Sequence, residues 1–352
     1  MEIEKNMNFI MGADVSSLQA MEDQGAKFYD LDGMEREALS ILSAHGVNCI
    51  RLRLFNRPTE SFDGGDYCDL WHTLVMAERV KKQGMGLLLD FHYSDFWADW
   101  KKQSIPLDWE DQSAEKLEQS VYTFTKSVLQ EFERCGAMPD IVQIGNEIGK
   151  GLLWDYGCLE YPGQIVAFLN AGFRAVNEIN QEGYSIKTML HLECGADTIR
   201  TEQFFDLLFQ NGLDDFDYVG LSYYPYWSGP YHELANNMKN IWKRFHKRVM
   251  VVETAFPYTD ESNDEMPNVV TGELTQETMK LTPSVENQCQ VLEKVIDTVR
   301  AQENGCGVFY WEPTWYKIKG VGVARGKGNE WENQAMFDVS GQVLESIRVF
   351  EH

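Results

Sequence analysis

Residues 114–147 read AEKLEQSVYTFTKSVLQEFERCGAMPDIVQIGNE, and this stretch decides the fold. Apolar side chains recur in it at three- and four-residue steps, at Leu117, Val121, Phe124, Val128 and Phe132. That spacing predicts a helix with one apolar stripe. Gly136 offers the left-handed conformation that ends such a helix, and the apolar run Ile141–Asn146 is typical of a buried parallel strand. A helix, a glycine and a buried strand form one unit.

The same unit recurs along the whole chain. Short apolar runs predict eight strands, at Phe9–Asp14, Val47–Leu54, Gly86–His92, Ile141–Asn146, Ile186–His191, Asp217–Ser222, Arg248–Glu253 and Gly307–Trp311. Helical patterns lie between these runs, and no linker interrupts the alternation. We therefore expect an α/β fold, a (β/α)8 TIM barrel, with residues 1–352 as a single catalytic domain. The alternative is an open doubly wound sheet, but no Gly-x-Gly-x-x-Gly follows the first strand.

Composition and charge narrow the range of partners. The 55 acidic residues outnumber the 31 basic ones and give a net charge of -24, which repels both nucleic acid and anionic membrane surfaces. No apolar run reaches the ~18 residues of a membrane span. The first eight residues lack the pattern of a secretory signal, and the seven cysteines form no close CxxC pair. We expect free thiols and a cytoplasmic protein, or a secreted one if its N-terminus has been trimmed, with no indication of its oligomeric state.

Two glutamates stand where a barrel enzyme places its chemistry, at the C-terminal ends of strands. Glu147 follows the fourth predicted strand and Glu253 ends the seventh. A pair of carboxylates in such positions is typical of glycoside hydrolysis, in which one protonates the leaving oxygen and the other attacks the anomeric carbon. Retention predicts carboxyl groups about 5–5.5 Å apart, with the pKa of Glu147 raised and that of Glu253 low. The simpler alternative is two acids that cap helices or pair with arginine.

Polar and aromatic side chains accompany the two glutamates. Polar groups also fall at predicted strand ends, at Asp14, Arg51, Arg53, Asp90, His92, Tyr223 and Tyr224. Tryptophans are frequent at or after the strand ends, at Trp97, Trp100, Trp109, Trp227, Trp311, Trp315 and Trp331. Flat aromatic rings cover the apolar faces of sugars at low entropic cost. Packing of long loops onto the barrel is the alternative role of any single tryptophan.

Other chemistries lack their signatures. The chain contains no HExxH, no zinc-type cysteine spacing and no GxSxG, so we expect neither a cofactor nor a metal. The acidic loop at residues 258–268 offers Ser262, Asp264 and Asn268 as oxygen ligands for calcium, but a solvated loop is the favoured interpretation.

Several segments together resemble glycoside hydrolase family 53, the arabinogalactan endo-β-1,4-galactanases of clan A. They are Gly12-Ala-Asp14-Val-Ser-Ser-Leu18, Leu89-Asp90-Phe-His92-Tyr-Ser-Asp95-Phe-Trp97, Gln143-Ile-Gly-Asn146-Glu147, Tyr223-Tyr-Pro-Tyr-Trp227, Val252-Glu253-Thr-Ala-Phe-Pro257 and Trp331-Glu-Asn-Gln-Ala335. The resemblance implies a barrel that cleaves β-1,4-galactan or galacto-oligosaccharides with retention, using Glu147 as acid/base and Glu253 as nucleophile. It also implies roles for Arg51, His92, Asn146 and Trp311. We expect substrate to be bound by these four residues together with Asp14, Asp90, Asp95, Trp97, His191, Tyr223, Tyr224 and Trp315.

The chain departs from the family pattern at two places on the cleft rim. Asp99-Trp-Lys-Lys-Gln103 replaces Asp-Pro-Gly-Lys-Gln, and His191-Leu-Glu193-Cys194-Gly195 replaces His-Leu-Asp-Asn-Gly. Both changes bear on subsite preference. Two alternatives therefore stay open: another clan A β-glycosidase acting on cellulose, mannan or β-galactosides, and a non-catalytic sugar-binding barrel.

Overall fold

Eight parallel strands pair in the order of the chain and close into a barrel, with the last strand paired to the first. The computed structural model describes residues 9–58, 66–322 and 328–352. The strands are β1 Ile10–Asp14, β2 Cys49–Leu54, β3 Gly86–Phe91, β4 Ile141–Ile144, β5 Lys187–Leu192, β6 Tyr218–Ser222, β7 Arg248–Thr254 and β8 Gly305–Trp311. The predicted (β/α)8 barrel is confirmed. A two-stranded hairpin, Gly151–Leu152 with Gly157–Cys158, lies outside the barrel.

Helices surround the strands and bury one face each. They are α1 Leu18–Asp23, α2 Ala38–Ala44, α3 Leu70–Lys82, α4 Ala114–Arg134, α5 Pro162–Gln181, α6 Thr198–Gln210, α7 Pro225–Ser228, α8 Tyr231–Phe245, α9 Gly272–Thr278 and α10 Val285–Arg300. The stripe predicted for α4 is buried at Leu117, Val121, Val128 and Phe132. Phe124 packs against the same core while partly exposed. The outer core therefore lies between the helices and the barrel wall.

Side chains fill the barrel interior below its C-terminal end. The residues of this plug are Cys49, Leu88, Ile141, Met189, Tyr218, Met250, Val252, Cys306 and Phe309. Because successive side chains of a strand point to opposite faces, β2 to β8 each direct one or two of these residues inward, and Ile10 of β1 packs against them. The interior is thus a packed core and not a pore. Open space for a ligand remains at the mouth, where the strands end.

Gly12 of β1 lies against this plug, which leads to a stability prediction. A Cβ at this position would lie 2.2 Å from the ring of Phe309, which is fully buried and has no room to move. Gly12→Ala should therefore lower the free energy of unfolding by about 1–3 kcal/mol through overpacking. Gly163, in the first turn of α5, has no heavy atom near its Cβ position. Gly163→Ala should be neutral or stabilising by comparison. Denaturant unfolding measures the free energy of unfolding of both variants, and equal effects would contradict the packing argument.

The structure also shows the state of the cysteines and the length and hydropathy of the described helices. All seven cysteines are free thiols, four of them buried, at Cys49, Cys68, Cys194 and Cys306. No helix within these ranges has the length and hydropathy that a bilayer span requires.

Candidate active site

A cleft of about 910 Å³ lies at the C-terminal ends of the barrel strands. Its volume is in the range of small-molecule and oligosaccharide sites. It brings together eight of the predicted site residues, His92, Trp97, Asn146, Glu147, Tyr224, Glu253, Trp311 and Trp315. Both glutamates therefore face one common cavity, although 106 positions separate them in the sequence.

The backbone turns sharply to present Glu147. β4 ends at Ile144, two residues earlier than predicted, because Gly145 has φ 82° and Glu147 has φ 48°, both in the left-handed region. Such a conformation costs a non-glycine residue about 1–3 kcal/mol and is concentrated at functional sites. The Glu147 carboxylate accepts a hydrogen bond from the Ser222 hydroxyl at 2.7 Å. Its backbone N–H points at Nδ1 of His191 at 3.4 Å.

Glu253 is held from two sides on β7. The Arg51 guanidinium donates to one of its carboxylate oxygens at 2.9 Å, and the Tyr224 hydroxyl donates to the other at 3.1 Å. Arg51 also binds Asp14 and Asp90, each at 2.8 Å, and is completely buried. One arginine thus shares its charge among three carboxylates. The glutamate is 7% exposed, so only a narrow part of it reaches the cleft.

Burial and mutual repulsion shift the titration of the pair. Burial raises the pKa of Glu147 well above its usual value, and the charge of Glu253 adds to the rise. Burial also raises the pKa of Glu253, contrary to the expectation that it stays low, although Arg51 opposes this rise. The larger rise falls on Glu147, which forms no ion pair with a cationic side chain among the described residues. Glu147 is therefore the member of the pair that keeps a proton longer as pH increases.

A layer of polar side chains lies directly beneath the cleft. Asp14, Arg51, Asp90 and His191 are fully buried there and do not line the cavity. His191 places Nδ1 2.8 Å from the Asn146 amide oxygen, and Nε2 2.9 Å from the Ser222 hydroxyl. Burial lowers the pKa of His191 well below its usual value, so its ring is neutral. These residues orient the groups above them and do not present a surface to a ligand.

Two predicted binding residues lie elsewhere. The Asp95 carboxylate accepts the backbone N–H groups of Arg57 and Leu107, so it joins two loops outside the cleft. Tyr223 is buried, and its hydroxyl donates to the carbonyl of Gly229. Both positions follow a strand, but their side chains turn toward the protein. The prediction that they contact substrate finds no support in their placement.

Aromatic rings form the cleft wall, and a buried cation holds two of them. The Arg53 guanidinium lies 4.5 Å from the centre of the Trp97 ring and 5.4 Å from that of Trp311. Arg53 also donates to Asp14 at 2.9 Å and forms an ion pair with Glu312. Burial raises the pKa of Glu312 to about 7, against the effect of Arg53. Cation–π contacts between desolvated groups are attractive, so Arg53 stabilises the positions of Trp97 and Trp311 in the cleft wall.

Sequence reasoning missed three polar residues of this region. Ser222 ends β6, Glu312 follows β8 directly, and Glu193 follows β5. The strand-end rule that selected Glu147 and Glu253 applies equally to these positions. A serine at a strand end has no charge that would mark it as functional, and Glu193 stands out in the sequence only as a departure from the family pattern.

Hydrogen bonds join the predicted calcium ligands of the acidic loop to its backbone and to the segment at Asn329. Asp264 accepts the backbone N–H groups of Met266 and Asn329, at 2.7 Å each. The side chains of Ser262 and Asn268 donate to loop carbonyls. The amide oxygen of Asn268 has no hydrogen-bond partner among the described residues, so the interpretation as a solvated loop stays a prediction. Elsewhere in the described ranges, no cluster of three or more His, Cys, Asp or Glu side chains has metal-binding geometry.

Comparison with known proteins identifies the family. The model of glycosyl hydrolase family 53 matches residues 10–350. An uncharacterized protein in the bgaB 5′ region of Niallia circulans is 37% identical, over 97% of this chain and 93% of its own length. The endo-beta-1,4-galactanase of Bacillus subtilis is 33% identical, over 99% of this chain and 86% of its own length. The GH53 catalytic domain of Ignisphaera aggregans superposes with a TM-score of 0.92 at 37% identity, covering 97% of this chain and 95% of that one. The resemblance seen in the sequence is confirmed, and the chain belongs to glycosyl hydrolase family 53, a family of glycoside hydrolases.

Proposed function

We propose that the chain hydrolyses β-1,4-galactosidic bonds in galactan, arabinogalactan or galacto-oligosaccharides, with retention of configuration. The observation that carries the proposal is that Glu147 and Glu253 line one aromatic cleft, and that Glu253 is paired with Arg51 whereas Glu147 accepts from Ser222. The Bacillus subtilis relative bears the name of an endo-beta-1,4-galactanase, which supports the choice of substrate. The carboxylates have the roles that a retaining glycosidase requires.

In the first step, Glu253 attacks the anomeric carbon. Its carboxylate is kept in place by Arg51 and Tyr224, so the attacking oxygen is oriented before the sugar arrives. Glu147 donates its proton to the glycosidic oxygen as the bond to the leaving sugar breaks. The products of this step are the free leaving sugar, a glycosyl ester on Glu253 and an ionised Glu147.

In the second step, Glu147 acts as a general base. Burial still raises the pKa of Glu147, but the ester carries no negative charge, so the repulsion from Glu253 is lost and the pKa of Glu147 falls. Glu147 takes a proton from water, the water oxygen attacks the anomeric carbon, and the ester bond breaks. Glu253 leaves as a carboxylate and Glu147 is protonated again, which restores both residues.

The charge of the cleft favours a neutral sugar. Acidic side chains line it on several sides, at Asp99, Glu147, Glu193, Asp197, Glu253 and Glu330. Its basic side chains are partly neutralised, since Arg53 and Arg200 are each paired with a carboxylate. A uronic acid would meet repulsion in this cavity. Galactan carries no such charge, and its pyranose rings present apolar faces to the tryptophan wall.

A substrate panel tests the proposal. Linear β-1,4-galactan, β-mannan, cellulose oligosaccharides and an aryl β-galactoside would be incubated with the protein, and the products separated by chromatography. We expect kcat/KM on galactan to exceed that on mannan or cellulose by about 100-fold or more, because hydroxyl-specific contacts discriminate strongly. NMR at early times should show the β-anomer. Faster cleavage of mannan or cellulose would identify a different clan A activity, and binding without turnover would identify a sugar-binding barrel.

A further inference from the structure

The turn that carries Glu147 is tied down by a second carboxylate that the two-step reaction does not use. Glu193 follows β5, and one of its oxygens accepts the backbone N–H of Gly149 at 3.2 Å. Arg200 of α6 forms an ion pair with its other oxygen. The Glu193 side chain is 7% exposed and lines the cleft. A buried carboxylate therefore reaches from β5 to the segment two residues beyond the proton donor.

The close approach of Glu193 to this turn depends on the glycine. A Cβ at Gly149 would lie 2.5 Å from a carboxylate oxygen of Glu193, so a larger residue there would displace the side chain. The neighbouring Ile148 donates its backbone N–H to the carbonyl of His191 at 3.0 Å. The segment after Glu147 is thus anchored to the end of β5 by two contacts, one through backbone and one through a side chain. Such anchoring is needed because Glu147 itself has a strained φ.

We propose that Glu193 is a positioning residue for Glu147, which fixes the turn that presents the proton donor and places a negative charge beside it. The inference rests on the proposed function, since it assigns Glu193 a task in the same reaction. Arg200 holds Glu193 and limits its charge. Glu193 therefore acts through Glu147 and need not touch the reacting atoms.

Several charged and polar groups surround Glu147, and Glu193 differs from the others in its contacts. The groups that raise the pKa of Glu147 after burial are Glu253 across the cleft, Glu193 and Asp99 of the β3 loop, while the Ser222 hydroxyl lowers it. His191, in contact from below, is neutral. Asp99 uses its carboxylate to accept the N–H groups of Lys101 and Lys102 within its own loop. Among the carboxylates near the acid, Glu193 is the one that also holds the turn.

The decisive experiment compares leaving groups and pH profiles in Glu193→Gln. Removing the charge and leaving Arg200 unpaired should favour ionised Glu147, so the basic limb of kcat/KM should move to lower pH by about 0.5 unit or more. Galactan, whose sugar leaving group needs a proton, should be cleaved about tenfold more slowly. A dinitrophenyl β-galactoside, whose leaving group needs none, should lose less than about threefold.

Two further variants separate the charge from the tether. Glu193→Asp keeps the charge but shortens the reach to Gly149, so galactan cleavage should fall while the basic limb stays in place. Arg200→Met removes the cation and should move the basic limb to higher pH, opposite to Glu193→Gln. Glu202→Gln is the matched control, because Glu202 lies on α6 like Arg200 but does not line the cleft. Its carboxylate pairs with Arg244 at 2.8 Å. It should leave both readouts unchanged.

The outcomes distinguish this inference from the proposed function. Equal losses on both substrates with an unmoved basic limb in Glu193→Gln would overturn the positioning role and leave a merely structural one. Shifts of the same sign in Glu193→Gln and Arg200→Met would also overturn it. If the wild-type protein did not cleave galactan, the proposed function would fail, and the aryl substrate would still report on Glu193.

Discussion

Replacing Glu253 with alanine is expected to lower kcat on β-1,4-galactan by about 10⁴-fold or more. The variant has no group that can form the glycosyl ester, and the remaining cleft supplies only binding and the proton of Glu147. Initial rates of reducing-sugar release measure the loss. Glu261→Ala, an exposed acid in the loop after β7, is the control and should retain wild-type rates.

The fold of the Glu253→Ala variant should survive. Arg51 keeps Asp14 and Asp90 as partners at 2.8 Å, so the substitution leaves no unpaired buried cation. We expect a Tm within a few degrees of the wild-type value. Added azide should enter the vacated space and restore turnover of an activated galactoside, with an α-galactosyl azide as product. Activity within tenfold of wild type, or a β-azide, would show that Glu253 is not the nucleophile.

Glu147→Ala should lower galactan cleavage by about 10³-fold, within the range that general acids supply. The wild-type enzyme needs Glu147 protonated, so its activity should fall as pH rises through the pKa of this group. Burial and the charge of Glu253 raise that pKa, which places the basic limb well above the range of an ordinary glutamate. In the variant this limb should disappear from the pH profile of kcat/KM.

The leaving group separates this role from that of the nucleophile. Dinitrophenolate leaves without a proton, so formation of the glycosyl ester from the dinitrophenyl galactoside should stay fast in Glu147→Ala. Its hydrolysis should be slow, because no base activates water. A burst of dinitrophenolate followed by slow turnover is the expected trace. A loss of similar size on both substrates, without a burst, would remove Glu147 from the acid/base role.

The barrel could be predicted from sequence because its signals are local. Buried parallel strands are apolar throughout, and α4 carries its stripe at helical spacing, so neither depends on distant contacts. Strand ends were less predictable. Ile141–Asn146 looked like one strand, yet the chain leaves β4 after Ile144, because Gly145 and Glu147 adopt left-handed conformations. An apolar pattern contains no information about the sign of φ at a glutamate.

The sequence predicts which residues surround the site, but not how deeply each of them is buried. The strand-end rule selected both glutamates and the residues around Arg51, yet it did not distinguish the cleft surface from the buried layer below. Tyr223 satisfied the same rule, and Asp95 was expected from the family resemblance, yet the side chains of both contact the protein outside the cleft. The raised pKa of Glu253 was not predictable because it results mainly from burial, which a strand-end pattern does not show. Depth and desolvation are properties of the assembled barrel.

Arg51 is bound to three carboxylates, and the proposed reaction changes only one of them. When Glu253 becomes an ester it stops being a counter-ion, but Asp14 and Asp90 still neutralise the guanidinium where it stands. We therefore expect the arginine to keep its position between the two half-reactions. Bond making and bond breaking take place above a fixed electrostatic frame, which keeps the reorganisation energy of each turnover small.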